Sequence, residues 1–523
     1  MSPSATDPVS ELHPKARPKT KLIVGIVTTR EAIPAAISHI IRGPPEPTWT
    51  LGLSITTKVG RAMIDTAGRR FSKHPPATRD DLIRQIRRVR FIDPLSAIEP
   101  DKTRGGTVWS RDLIVSKRAL GGVLKEAAEA ETGKRVLRAE WTVAEWLLDP
   151  EGPPPRPQVI LHLHGGAHVV QDVRTYRTYN AQVSMMTRCR VFCIDYRLAP
   201  EAVFPGSLLD ALTAYFYLTE DLKVPPSDIV LSGDSAGGGI AIELLMYLRD
   251  NHLPQVGSAM LLSPWLDLTT SFGSWVENRE RDFLTIDAST EPLHPPRLYV
   301  SPDWPPRIDR FREKVVDPYI SPALAPLDAL RSLPPLLIHT GGCERLRDEQ
   351  IVFVRRARLA DPSNKITHQL FSDGVHVFAS VQATRSGAAA QKQVGAWLER
   401  VCSDRPPSAD PDGHWAREID EAVTNARKAR LARGGKIKPF PKASTSWRYE
   451  RSVERWPDIR VKKDSPFEEA VRAAAEANAV EGPVGLTEVF RPVRPTKSER
   501  RQMKKEREEM RDESAEFKGS PAP

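Results

Sequence analysis

Apolar and polar positions change rhythm along the chain. The first hundred residues are rich in Pro and Arg and carry short helical patches, such as Asp80 to Arg90. From about Ile114 the pattern becomes strand-like, and Leu137 to Leu148 alternates loosely before Glu151-Gly-Pro-Pro-Pro-Arg-Pro forces a turn. Short apolar runs then recur: Val159 to Leu163, Arg190 to Asp195, Asp228 to Ser232, Ala259 to Ser263, Leu336 to His339 and Ile366 to Phe371. Between or after them lie helical spacings at Leu208 to Leu218, Ala236 to Arg249, Leu346 to Leu359 and Ala388 to Val401. Short strands alternating with helices predict an α/β fold with a mostly parallel sheet covered by helices on both faces. The interval 266–322 lacks strand signals and is Pro-rich and aromatic, as expected of a helical cap inserted into the fold. Alternation stops after Val401. The expected organisation is therefore an N-terminal extension over 1–105 that forms part of the cap or a membrane-surface segment, a main α/β domain over 106–404 with its cap insertion at about 266–322, and a charged, largely helical or disordered extension over 405–523.

Composition narrows the classes. With 523 residues and 40% hydrophobic content the chain can bury a large core, which excludes wholesale disorder and a disulfide-stapled mini-domain. The four cysteines, Cys189, Cys193, Cys343 and Cys402, show no metal-site pairing and fit a reducing compartment. Net charge is +9, and residues 405–523 hold 26 Lys+Arg against 21 Asp+Glu. That mixture of signs describes a solvated surface rather than a nucleic-acid stripe, so no nucleic-acid partner is expected, and the partner of the tail stays open. No stretch approaches the ~20 apolar residues of a membrane span, and the polar, Pro-rich N-terminus lacks a secretory core. Lys21 to Gly43 is apolar in patches but carries Arg30, Glu31 and Pro34, a pattern suited to lying on a membrane rather than crossing it. An intracellular protein, cytoplasmic or peripherally membrane-associated and not secreted, is the expectation.

Four local signals carry chemistry. Gly233-Asp-Ser-Ala-Gly237 follows a strand and opens a helix, which is the setting of a nucleophile elbow with Ser235 at its apex. His164-Gly165-Gly166-Ala167 ends an earlier strand, where consecutive glycines let backbone N–H groups approach a developing oxyanion. Glu344 lies just past a third strand and His376 past a fourth, giving the order Ser…acid…His at the carboxyl edge of a parallel sheet. Asp348 competes for the acid role, although an acidic residue at a helix start is ordinarily a dipole feature. Asp373 reads as a local turn residue. His162, His168 and His339 have no metal-ligand partners at useful spacing, and Trp265, Trp275 and Phe283 read as cap or pocket-wall packing.

With these residues in view, the chain resembles the hormone-sensitive-lipase-like (fold-3, family IV) α/β-hydrolases. The likeness runs through His164-Gly-Gly-Ala167, Asp195-Tyr-Arg-Leu-Ala-Pro-Glu201, Gly233-Asp-Ser-Ala-Gly-Gly238, Ser263-Pro-Trp-Leu-Asp-Leu-Thr269, Leu346-Arg-Asp-Glu349 and Asp373-Gly-Val-His376. The N-terminal Arg42-Gly-Pro-Pro-Glu-Pro-Thr-Trp49 is similar to fungal members. The resemblance implies Ser235 as nucleophile, His376 as general base and Glu344 as acid, with an oxyanion hole from the N–H groups of Gly165, Gly166 and Ala236. It further implies that His164 and Asp234 support the motif, that Glu201 is structural, and that no cofactor or metal is needed. Esters of short- to medium-chain acids, lipid or sterol acetates among them, are the implied substrates. The sequence departs from the family at Ala167 and His168, where a third glycine and an aromatic are common, and at Glu344, where Asp is usual. A non-catalytic scaffold with the same fold, or an amide, lactone or carbamate hydrolase, are the alternatives.

Overall fold

A computed structural model of the chain describes residues 18–90, 103–149, 152–285, 294–305, 307–380, 384–404, 408–410, 413–435, 448–455, 459–463, 465–476, 486–494 and 496. Its main elements are α1 (Pro18–Arg42), α2 (Leu51–Lys73), α3 (Arg79–Arg90), β1 (Gly106–Ile114), β2 (Val136–Ala144), β3 (Val159–Leu163), α4 (Val173–Thr187), β4 (Arg190–Ile194), α5 (Gly206–Phe216), β5 (Ile229–Asp234), α6 (Ser235–Asp250), β6 (Ser258–Leu262), β7 (Leu336–Gly341), α7 (Arg347–Ala360), β8 (Ile366–Phe371), α8 (Arg385–Ser403), α9 (Arg417–Ala432), β9 (Arg448–Arg455), α10 (Glu468–Glu476) and β10 (Leu486–Val493).

The ten strands form one sheet in the order β1-β2-β4-β3-β5-β6-β7-β8-β10-β9. From β4 to β10 every pairing is parallel, while β1, β2 and β9 run antiparallel to their neighbours. The continuous apolar runs are explained by burial on both faces. Ile160, Val191, Val230, Met260 and Leu337 meet Val183 of α4 and Trp397 and Leu398 of α8. Their sequence neighbours Leu161, Phe192, Leu231, Leu261 and Ile338 point the other way, against Leu208 and Leu212 of α5 and Ile240 and Leu244 of α6. The two-residue period of a strand thus feeds two separate helical layers. The mostly parallel sheet with helices on both faces is the α/β architecture expected from the alternation.

The C-terminal region differs from expectation. Residues 448–455 and 486–493, which the sequence placed in a helical or disordered extension, are strands that continue the central sheet beyond β8. Helix α9 of the same region packs on β1 and β2, where Arg427 and Arg430 pair with Glu145. Arg190 reaches Asp420 from the neighbouring strand. The segment 266–322 carries short helices at Ser274–Glu277, Pro295–Val300 and Ile308–Lys314, with 286–293 and 306 outside the described residues. Helices α2 and α3 bind this segment: Arg61 donates to the Asp282 carbonyl at 2.7 Å and Arg79 to the Pro302 carbonyl at 2.9 Å.

Candidate active site

Strand β5 ends at Asp234, and Ser235 begins α6 with φ 51°, a left-handed backbone that few side chains adopt without strain. The turn is possible because its neighbours are small. A Cβ on Gly237 would stand 2.0 Å from the Leu163 carbonyl oxygen, and one on Gly233 would stand 2.4 Å from that of Gly237. The carbonyl of Ser235 is fixed by the Trp265 N–H at 2.8 Å. Ser235 retains only 7% exposure, so its hydroxyl is presented inside a nearly closed site.

His376 comes from the loop after β8. Its Nε2 is 2.9 Å from Ser235 Oγ and its Nδ1 is 2.9 Å from Glu344 Oε2. Glu344 is fully buried on the loop after β7, where its other oxygen accepts from the Gly341 N–H at 2.7 Å and the Gln350 amide at 3.1 Å. Asn278, at the end of the short Ser274–Glu277 helix, donates to the Gly342 and Glu344 carbonyls and so ties that loop to the 266–322 segment. Asp348 points elsewhere: it accepts from the Ser274 N–H at 2.9 Å and from Arg347 at 2.8 Å. Geometry therefore separates the two competing carboxylates, and Glu344 is the one bonded to His376. Burial lowers the affinity of His376 for a proton. The hydrogen bond and charge of Glu344, joined by the charges of Asp282 and Asp234, outweigh it and hold the imidazole above its ordinary value of 6.5.

The glycine loop requires a correction. The N–H of Gly165, expected to face an oxyanion, donates instead to Tyr176 Oη at 3.0 Å and Asp234 Oδ1 at 3.1 Å. The physical reason is Asp234, a buried carboxylate that needs donors: it takes this N–H and the Tyr176 hydroxyl at 2.8 Å. Burial still pushes the Asp234 carboxyl up to about 6. Among the described hydrogen bonds none engages the N–H of Gly166, Ala167 or Ala236. Gly166 turns with φ +117°, and Ala167 and His168 follow at 54° and 61°, which explains why glycine suits position 167. His164 supports the loop by bonding the Gly165 carbonyl at 2.7 Å and stacking on Tyr196 at 4.3 Å.

The remaining candidates fall into the fold. Glu201 pairs with Arg87 and Arg90 and so anchors α3. His162 and His339 bond Ser232 and Gln369 in the core, and His168 stacks on Tyr299 at 3.8 Å. The Phe283 ring lies 5.7 Å from that of His376, while Trp265 and Trp275 pack against each other in the main hydrophobic core. Among the described residues no group of three His, Cys, Asp or Glu side chains is arranged to hold a metal ion, and no helix is long and apolar enough to cross a membrane. Sequence reasoning singled out Thr48 and Trp49 only within the Arg42–Trp49 resemblance and passed over Tyr449, and it missed that the three converge on Asp373 in the histidine loop. Their distance along the chain gave no local signal.

Residues 160–380, from β3 through the histidine loop, match a family described as having the alpha/beta hydrolase fold. An esterase of Acinetobacter venetianus is 33% identical over 205 residues, 39% of this chain and 62% of that protein. An acetyl-hydrolase of Streptomyces hygroscopicus is 31% identical over 221 residues, 42% of this chain and 68% of that protein. A crystal structure of an esterase from the bacterial hormone-sensitive lipase family is 26% identical, with a TM-score of 0.45, covering 65% of this chain and 97% of that one. The matched segment contains Ser235, Glu344 and His376, and on these sequence matches the chain belongs to the family of alpha/beta hydrolases.

Proposed function

We propose that the protein is a serine carboxylester hydrolase of the hormone-sensitive-lipase-like branch, with an N-terminal region of fungal type. Its substrates in this reading are short- to medium-chain acyl esters of apolar alcohols, lipid or sterol acetates among them. The observation that carries the proposal is His376 held between Ser235 Oγ and Glu344 Oε2 at 2.9 Å on each side. In this reading His376 takes the Ser235 proton as Oγ attacks the ester carbonyl, and returns it to the departing alkoxide to release the alcohol. Glu344 orients the imidazole and stabilises its charged form. Water, deprotonated by His376, then cleaves the acyl-serine to give the free acid and the resting hydroxyl. Gly166, Ala167 and Ala236 are the proposed oxyanion donors, and the helix N-terminus at Ser235 favours the developing charge.

The protein incubated with a fluorophosphonate probe and with p-nitrophenyl esters from acetate to palmitate, beside Ser235→Ala, tests this. Labelling and turnover that vanish together in the variant are expected, with the chain-length profile sizing the pocket. A folded protein that neither labels nor turns over would overturn the proposal in favour of a binding role.

Peripheral membrane contact through residues 21–43 is a second proposal, supported by α1. Ile33, Ile37, Ile40 and Ile41 are all exposed on this helix, and Arg30 and Arg42 lie beside them. An apolar row flanked by basic residues suits the interface of a lipid surface.

A further inference from the structure

The histidine loop is gripped from outside the segment that matches the hydrolase family. Asp373, three residues before His376, is 3% exposed. Its Oδ2 accepts from the Thr48 hydroxyl, between α1 and α2, and from Tyr449 Oη of β9 at 2.6 Å. Its carbonyl accepts from the Trp49 indole at 2.9 Å. The other carboxylate oxygen is buried with no hydrogen-bond partner among the described residues, so the side-chain hydrogen bonds that hold this carboxylate in place come from the two hydroxyls on Oδ2. One residue earlier, the Ser372 N–H donates to the Phe490 carbonyl of β10 at 3.1 Å. Phe371 stacks on Phe490 at 4.7 Å. Trp49 and Leu53 pack with Phe371, Val375, Phe378 and Phe490 in one apolar cluster.

Thr48 and Trp49 precede the matched residues 160–380, and Tyr449 and Phe490 follow them. The three steps from Asp373 to His376 span at most about 10 Å of extended chain, so a shift at one end is transmitted to the other. The loop is also tied across to the glutamate loop, where the Cys343 N–H donates to the Gly374 carbonyl at 2.8 Å. We propose that Asp373 is a positioning residue, and that Thr48 and Tyr449, one from each extension, set through it the place of His376 between Ser235 and Glu344. This rests on the serine-hydrolase reading for its catalytic consequence. The extensions are then part of the active-site scaffold.

The test uses the full chain with Thr48→Val and Tyr449→Phe, each of which removes a hydroxyl and keeps the shape. Turnover is normalised to sites titrated with the fluorophosphonate, so that a smaller folded fraction does not register as slower chemistry. Each variant should lower kcat on the order of 10-fold while KM stays within about twofold, the pattern of misplaced reacting groups. The acid limb of the pH profile should move to lower pH, because a displaced His376 loses part of its bond to Glu344. Asp373→Asn, which keeps an acceptor oxygen, should retain more activity than Asp373→Ala. Normal kcat in both hydroxyl variants, with an unmoved acid limb, would overturn the proposal. The pKa of His376, read from its ring resonances by NMR, separates the two readings: a fall in the variants supports positioning even if the wild type proves inert towards esters. An unchanged value in an inert protein would sink both.

Discussion

At His376 burial and electrostatics oppose each other, and the balance has consequences for pH. Since Glu344 and the carboxylates beyond it prevail, kcat/KM should rise with pH through a midpoint above 6.5, because only the neutral imidazole can accept the serine proton. Glu344→Gln removes the dominant favourable partner and leaves the desolvation, so the midpoint should fall. The same change should lower kcat on the order of 10⁴-fold, the loss typical of a triad acid turned into an amide. Steady-state pH profiles of the two proteins check both statements, and an unchanged kcat would remove Glu344 from the mechanism. Linkage gives the raised value a sign in stability as well. The His376–Glu344 pair contributes fully below the unfolded value near 6.5, and this contribution is lost as pH rises through the folded-state pKa. Gly237→Ala should abolish phosphonate labelling, since its Cβ has no room beside the Leu163 and His164 carbonyls. The elbow, Glu344 and His376 were legible because each sits at a strand end and is marked by its own motif. The commitment of the Gly165 N–H to Asp234 was not, because the sequence does not give the backbone angles that decide which of two adjacent glycines turns its N–H inward.

Elements explain what the hydropathy pattern could and could not foretell. Strands β3 to β8 were readable because burial on two faces demands unbroken apolar runs. Strands β9 and β10 were not. Arg448 to Arg455 reads RYERSVER and keeps an exposed edge, while β10 offers mainly Val489 and Phe490 to the core. The open side of β8 draws out β10, and β10 in turn pairs with β9, a tertiary demand that outweighs local propensity. Phe490→Ala should therefore destabilise the protein by about 3–5 kcal/mol, the usual cost of emptying a buried Phe site. Urea unfolding measures this, and a loss below about 1 kcal/mol would mean that the added strands contribute little to the sheet.

The whole molecule joins a familiar hydrolase body to extensions on both sides, and these differ in what they do. The isoleucines Ile33, Ile37, Ile40 and Ile41 of α1 are exposed, so Ile37→Glu with Ile41→Glu should reduce co-sedimentation with phosphatidylcholine–phosphatidylserine vesicles. Hydrolysis of soluble p-nitrophenyl acetate should be unaffected in the same preparation. Equal sedimentation of wild type and variant would remove α1 as a lipid contact. The C-terminal strands act in the opposite direction, inward. Because β10 pairs in parallel with β8 across more than a hundred intervening residues, the sheet edge beside the histidine loop closes only once that late segment has been synthesised. A nascent chain released from the ribosome before residue 486 would carry Ser235, Glu344 and His376 yet present an open strand edge to its neighbours. Competence for the proposed reaction would thus arrive with β9 and β10 rather than with Ser235, Glu344 and His376, and chaperone demand during translation should peak in that interval.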